Sequence, residues 1–311
     1  MIQWHGVFPA LTTPFTSDGK IDLLMFEKNL DAQIQAGVHG LIIGGSLGEA
    51  STIRPEEKEQ LTKTALTKAA QKVPVVINIA ESSTADAIKQ ARNAEAWGAH
   101  GLMLLPPMRY KSDPVETITY FKSIAASTDL PIMIYNNPVD YGIEVSLAMF
   151  EELTVVENVQ AVKDSTRDVS NITRMINRFG DRFSLLCGVD TIAMEELCMG
   201  ADGWVAGLVN AFPKETTAIY ELVKHGRIEE ARKINRWFLP LLELDIHPKL
   251  VQYIKLAQSL TGLGTEHVRP PRLTLTGVER ERVLSIIQEG ISSRPILPTL
   301  HKTERRFSRS L

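Results

Sequence analysis

The sequence predicts a (β/α)8 (TIM) barrel with a C-terminal helical extension. The first observation is a rhythm. Eight short apolar runs, at 7–11, 40–43, 75–79, 101–104, 132–135, 159–163, 184–188 and 203–207, recur with a mean start-to-start spacing of 28 residues. That is the length of one strand, one helix and two short loops. The second is that the runs are continuously apolar rather than alternating, which marks strands buried on both faces in a parallel sheet covered by helices. Eight such units close into a barrel. The third weighs against the runner-up, a doubly wound open sheet: no G-x-G-x-x-G follows the first run, and no G-x-x-x-x-G-K-[ST] occurs.

Helix signals sit between the runs. Arg54 is followed by Pro55, Glu56 and Glu57, which suit a first turn. Ser82, Ser83 or Thr84 is placed to cap a helix ending near Trp97, where Gly98 follows. Ser112, Asp113, Pro114 and Glu116 open the next helix, and the stretch 169–179 ends at Gly180. After the eighth run, helices are predicted at about 214–224, 228–242, 248–260 and 277–288, more than a minimal barrel needs. The division expected is a barrel over 1–224, a helical extension over 225–290 and a disordered basic tail over 291–311. The tail holds Arg294, Lys302, Arg305, Arg306 and Arg309 against Glu304. It reads as a solvated end, with an anion-docking arm as the alternative.

Composition narrows the function. The 311 residues are 44% hydrophobic and 23% charged, which excludes wholesale disorder, collagen and a disulfide scaffold. A net charge of −3 makes no case for nucleic acid. No run approaches the roughly 20 apolar residues of a membrane helix. The start shows no signal-peptide pattern, and two cysteines, Cys187 and Cys198, form no framework, so a reduced cytoplasmic setting is expected. The seven histidines are scattered without metal-ligand spacing, so no metal is expected, and no G-x-S-x-G supports a serine hydrolase.

In a barrel the active site lies at the C-terminal ends of the strands. The sixth run ends in Lys163, the fifth in Tyr135. A lysine there either marks where the strand meets water or serves as a Schiff-base nucleophile, its amine freed by partial burial. A tyrosine there either packs with a wet hydroxyl or shuttles protons for the lysine on the adjacent strand. The second run is followed by GGSLGE at residues 44–49. Such a turn either just redirects the chain or presents consecutive amides to a carboxylate or phosphate.

The order of G-[GST]-x-x-G-E after strand two, Y-N-x-P after strand five and an apolar-Lys-[DE] end to strand six resembles the dihydrodipicolinate synthase and N-acetylneuraminate lyase superfamily. The opening GVFPALTTPF at 6–15, AGVHG at 36–40, CGVD at 187–190 and GADG at 200–203 are similar to the same family, so the resemblance spans about 5–290. It implies a homotetramer, a dimer of dimers, with no metal or organic cofactor. It implies that Lys163 forms an imine with the C2 carbonyl of a 2-oxo acid and that Tyr135 relays protons. Gly45, Ser46 and the Leu47 amide would hold the substrate carboxylate, and Gly188 and the Val205 backbone would line the substrate.

Departures from the family shape the expected substrate. In the synthases of this family an arginine two residues beyond the Y-N-x-P proline binds the second substrate's carboxylate; here that residue is Asp140, which would repel an anion. Leu47 replaces a second hydroxyl of the glycine turn, and the segment around Tyr110 lacks an adjacent tyrosine pair, so that Tyr110 either replaces one of the two or packs. These changes argue against a true dihydrodipicolinate synthase. The segments from Tyr141, Gly203 and His247 look most similar to 1-pyrroline-4-hydroxy-2-carboxylate deaminases. The expected activity is therefore a Schiff-base deaminase acting on a 2-oxo acid or its cyclic imine. The alternatives are a 2-keto-3-deoxy sugar-acid aldolase or dehydratase and, behind these, a true synthase or a non-catalytic sugar-acid-binding barrel.

Overall fold

The computed structural model describes residues 2–107 and 109–299. In chain order the elements are β1 (Gly6–Pro9), α1 (Leu23–Gln35), β2 (Leu41–Ile43), α2 (Pro55–Ala69), β3 (Val75–Ile79), α3 (Thr84–Ala96), β4 (Gly101–Leu104), α4 (Pro114–Ala125) and β5 (Ile132–Asn136). Then follow α5 (Pro138–Tyr141), α6 (Leu147–Leu153), β6 (Val159–Asp164), α7 (Ser170–Phe179), β7 (Ser184–Cys187), α8 (Ala193–Cys198), β8 (Gly203–Ala206) and α9 (Pro213–Lys224). The extension adds α10 (Ile228–Leu242), α11 (Leu250–Thr261) and α12 (Gly277–Ser292).

The eight strands are parallel and ordered β1-β8-β7-β6-β5-β4-β3-β2. A parallel bridge between Ala10 and Ile42 joins the two ends of that order, with the Leu11 N–H donating to the Ile42 carbonyl at 2.9 Å. The architecture is a (β/α)8 barrel with a C-terminal helical extension.

The helices start where their side chains can satisfy the first free N–H groups. Ser83 caps α3 by accepting from the Asp86 N–H at 3.1 Å. Asp113 and Glu116 form a reciprocal box at α4, and Glu57 returns to the Arg54 N–H at α2. In both helices proline takes the first turn, where its missing N–H costs nothing.

The strands separate two apolar layers. Ile132, Ile134 and Val162 face outward to the helices, while Met133, Tyr135 and Ala161 face the barrel axis with Phe8, Ile42, Met103 and Leu186. The period of two then carries Lys163 onto the inward face, two residues beyond Ala161.

The extension is tied to the barrel by charge. The buried Lys255 of α11 meets the buried Glu49 at 2.7 Å, and the Arg269 N–H donates to the other Glu49 oxygen at 3.1 Å. Arg269 also grips Glu57 of α2 through two bonds of 2.7 and 2.6 Å. α12 runs on to Ser292, past the expected end at 288. Beyond it Arg294 forms a two-bond pair with Glu215 at 2.5 and 2.9 Å, and Arg227 donates to the Thr299 carbonyl at 3.0 Å. The other tail cations, Lys302, Arg305, Arg306 and Arg309, lie outside the described residues. Among the described residues no helix is long and apolar enough to cross a membrane.

Candidate active site

Tyr135 and Lys163 are register partners on β5 and β6, at the strand ends where the barrel opens. Both are buried, and the Lys163 Nζ lies 3.8 Å from the centre of the Tyr135 ring. Burial disfavours the ammonium form and lowers the Lys163 pKa. It also pushes the Tyr135 phenol up to about 12, so that hydroxyl keeps its proton at neutral pH. Gly188, just beyond β7, leaves the space this lysine occupies. A Cβ there would lie 2.2 Å from the Ser165 Oγ and 2.6 Å from the Lys163 Cε.

The turn after β2 forms the opposite wall, with Gly45, Ser46 and Leu47 lining the same cavity as Lys163, Tyr135, Gly188 and Val205. The Leu47 side chain is buried, and Ser46 is exposed at the mouth. There its Oγ meets the Tyr141 hydroxyl at 2.5 Å. Tyr141 stands edge-on to Tyr135, ring centres 5.7 Å apart. Burial raises the Tyr141 pKa as well.

Asn137 links this pair of phenols to a charge pair. Its amide donates to the Tyr135 hydroxyl at 3.1 Å and to the Asp140 carboxylate at 2.7 Å. Asp140 in turn meets the Arg167 guanidinium at 3.4 Å. Two further carboxylates act on Lys163 through their charge. Asp190 is buried and accepts from Trp204 Nε1 at 2.9 Å, the Leu208 N–H at 2.7 Å and the Gly207 N–H at 3.1 Å. Asp245 enters from the loop between α10 and α11, over Gly207, where a Cβ would lie 2.3 Å from its Oδ1. Burial raises the pKa of both acids, while the hydrogen bonds that Asp190 accepts and the charge of Lys163 act the other way.

All eight site residues expected from the sequence, Lys163, Tyr135, Gly45, Ser46, Leu47, Asp140, Gly188 and Val205, line one cavity. Tyr110 does not join them: it is exposed, and its hydroxyl donates to Glu116 at 3.0 and 3.1 Å. Tyr141 brings the second phenol instead. Sequence reasoning missed Arg167, Asp245, Asn137 and Ser165. Three of these sit within four residues of Tyr135 or Lys163, and proximity to a reactive strand end was the available signal. Asp245 carried none, because its placement depends on how the extension folds back.

Residues 3–290 match the dihydrodipicolinate synthetase family. The chain is 33% identical over 276 residues to 4-hydroxy-tetrahydrodipicolinate synthase of Exiguobacterium sibiricum, covering 88% of this chain and 92% of that one. It is 29% identical to the synthase of Methanosarcina barkeri, over 90% of this chain and 96% of that one. Among solved structures it resembles the 4-hydroxy-tetrahydrodipicolinate synthase of Methylacidiphilum fumariolicum, with a TM-score of 0.89, 26% identity and 93% and 97% of the two chains covered. The dihydrodipicolinate synthase of Acinetobacter baumannii complexed with pyruvate gives a TM-score of 0.87 at 26% identity, over 93% of this chain and 99% of that one.

These relatives overturn the expected deaminase, its sugar-acid alternatives and the low rank given to a synthase. The physical reason lies in Asp140. As an isolated anion it would repel an anionic co-substrate, but it is paired with Arg167 and hydrogen-bonded by Asn137. Beside Leu47, the Ser46 hydroxyl keeps a hydroxyl partner in Tyr141. The chain belongs to the dihydrodipicolinate synthetase family, enzymes that are lysine Schiff-base lyases of the class I aldolase type.

Proposed function

We propose that the protein is a 4-hydroxy-tetrahydrodipicolinate synthase. The product's name dictates the substrates. It is a seven-carbon ring dicarboxylate with its hydroxyl on C4, and breaking the ring bond between C4 and C5 as an aldol leaves pyruvate and 2-amino-4-oxobutanoate. The observation that carries the reading is the buried Lys163–Tyr135 register pair facing the glycine turn, in a chain whose relatives carry this name.

The Lys163 amine attacks C2 of pyruvate, and Tyr135 gives the proton with which the carbinolamine leaves water. The imine draws electrons from C3, which loses a proton and becomes a nucleophilic enamine carbon. That carbon bonds to the aldehyde of the second substrate, whose oxygen takes a proton and becomes the C4 hydroxyl. The amine of the second substrate then attacks C2, the C2–Lys163 bond breaks, and the ring closes with one water lost overall. Gly45, Ser46 and the Leu47 amide hold the pyruvate carboxylate, and the Ser46–Tyr141 hydroxyl contact carries protons to the mouth. Gly188 makes room for the lysine, and the Val205 backbone borders the substrate. The reading includes a cytoplasmic homotetramer, a dimer of dimers, as the active form.

Incubation with pyruvate and borohydride, followed by peptide mapping, is expected to place a reduced adduct on Lys163. Adding 2-amino-4-oxobutanoate without borohydride is expected to consume pyruvate one for one. An adduct with no consumption of the aldehyde would overturn the synthase reading.

A further inference from the structure

We infer that Arg167 is the cation that binds the carboxylate of the second substrate, in place of the arginine whose usual position holds Asp140; the identity of that substrate rests on the synthase reading. The charges lining the cavity carry the inference. Among the described lining residues the cations are Lys163 and Arg167. Lys163 is consumed by its bond to the first substrate. A second substrate that brings its own carboxylate then meets Arg167 as the remaining cation of the inner cavity, half-exposed at the mouth, beyond which Arg109 and Arg272 line the outer groove.

The loop holds Arg167 in place from both sides. Asp164 accepts from the Thr166 N–H at 3.0 Å and from the Asn171 amide at 2.9 Å. Asp168 accepts from the Ser170 N–H at 3.0 Å and pairs with Arg174 at 2.7 Å. Between these anchors Arg167 adopts a φ of +62°, a left-handed backbone that strains a non-glycine residue. The chain tolerates that strain where it brings a side chain to the cavity that holds Lys163.

The existing partner is loose. Asp140 makes one contact of 3.4 Å to one guanidinium nitrogen, and both side chains are about half exposed (42% and 51%). The other donors of the fork bind nothing among the described residues. A carboxylate can therefore take two parallel bonds from the guanidinium, the geometry arginine serves best. Asp140, itself held by Asn137, keeps the side chain over the cavity until that happens.

The test uses two 2-oxo acids that differ by a remote carboxylate. Borohydride trapping on Lys163 is titrated with pyruvate and with 2-oxoglutarate, in the unmodified protein, in Arg167→Gly and in Asp140→Asn. Glycine suits the φ at 167, so this variant is expected to fold. Arg167→Gly should raise half-saturation by 2-oxoglutarate roughly tenfold or more and leave pyruvate unchanged. Asp140→Asn should lower it for 2-oxoglutarate alone. Equal changes for both acids, no change for either, or failure of the unmodified protein to trap 2-oxoglutarate would overturn the assignment. Selective trapping in a protein that does not consume 2-amino-4-oxobutanoate would support the Arg167 site and remove the synthase reading instead.

Discussion

The Lys163 Nζ lies 3.8 Å from the centre of the Tyr135 ring, its register partner on the neighbouring strand. The ring face steadies whatever positive charge the lysine carries, while in the proposed mechanism the hydroxyl at the ring's edge serves proton transfer. Tyr135→Phe separates these roles. It keeps the ring and is expected to lower kcat by about 10²–10⁴ with little change in KM for pyruvate. Steady-state kinetics check this. Lys163→Ala should abolish the trapped adduct in a folded protein.

The rate of adduct formation should depend on pH through the Lys163 amine. Burial lowers its pKa, so the free amine exists at lower pH than for a solvated lysine. Trapping at fixed pyruvate should rise with pH and level off below the ordinary lysine range near 10.4. A rate still climbing at that pH would show an unshifted lysine.

Gly188→Ala tests the space behind the lysine. The added methyl would lie 2.6 Å from the Lys163 Cε. The protein is expected to fold, since Gly188 is not among the residues with a positive φ. Adduct yield at limiting pyruvate should fall at least about tenfold, as small misplacement of a reacting group costs rate steeply. Intact mass after trapping gives the result.

Glu196 sets a pH dependence of stability. It is buried behind β7 beside the Cys187 thiol, its carboxyl oxygens meet no N–H or O–H donor among the described residues, and burial raises its pKa to about 8. The folded protein therefore binds a proton that the unfolded chain releases above about pH 4.3. Stability from this group is full below that pH and is lost as pH rises toward 8, by a few kcal/mol in all. Glu196→Gln should flatten the slope and gain stability at pH 8.5. Urea unfolding at pH 6 and 8.5 measures both effects.

The Glu49–Lys255 pair should be worth far more broken than exchanged. Lys255→Met leaves a buried carboxylate short of its main partner and is expected to cost about 3–5 kcal/mol. Glu49→Gln combined with Lys255→Met should recover a large part of that loss. A double-mutant cycle from urea melts gives the coupling.

Lys163 and Tyr135 were legible because each closes an apolar run, and a barrel puts reactive groups at such ends. The same logic reached the glycine turn, and the helix starts at Ser83, Asp113 and Pro55 followed from local capping chemistry. Asp140 lines the cavity, but its charge is compensated by Arg167, 27 positions later, which no local pattern pairs with it. Tyr110 and Tyr141 looked interchangeable in one dimension. Only the turn at α5 decides that Tyr141 reaches Ser46 while Tyr110 stays on the surface. Charge partnerships across loops are set by tertiary placement, and they proved the unreadable part.

Glu49 has one more consequence, for the order in which the molecule becomes competent. Its partners Lys255 and Arg269 lie 206 and 220 residues downstream. A chain leaving the ribosome exposes Lys163 well before either emerges. The nascent protein thus holds Lys163 before the turn that faces it across the cavity is braced. The last helices to be synthesised act as a latch, and a polypeptide released early would be a barrel in outline without a finished mouth.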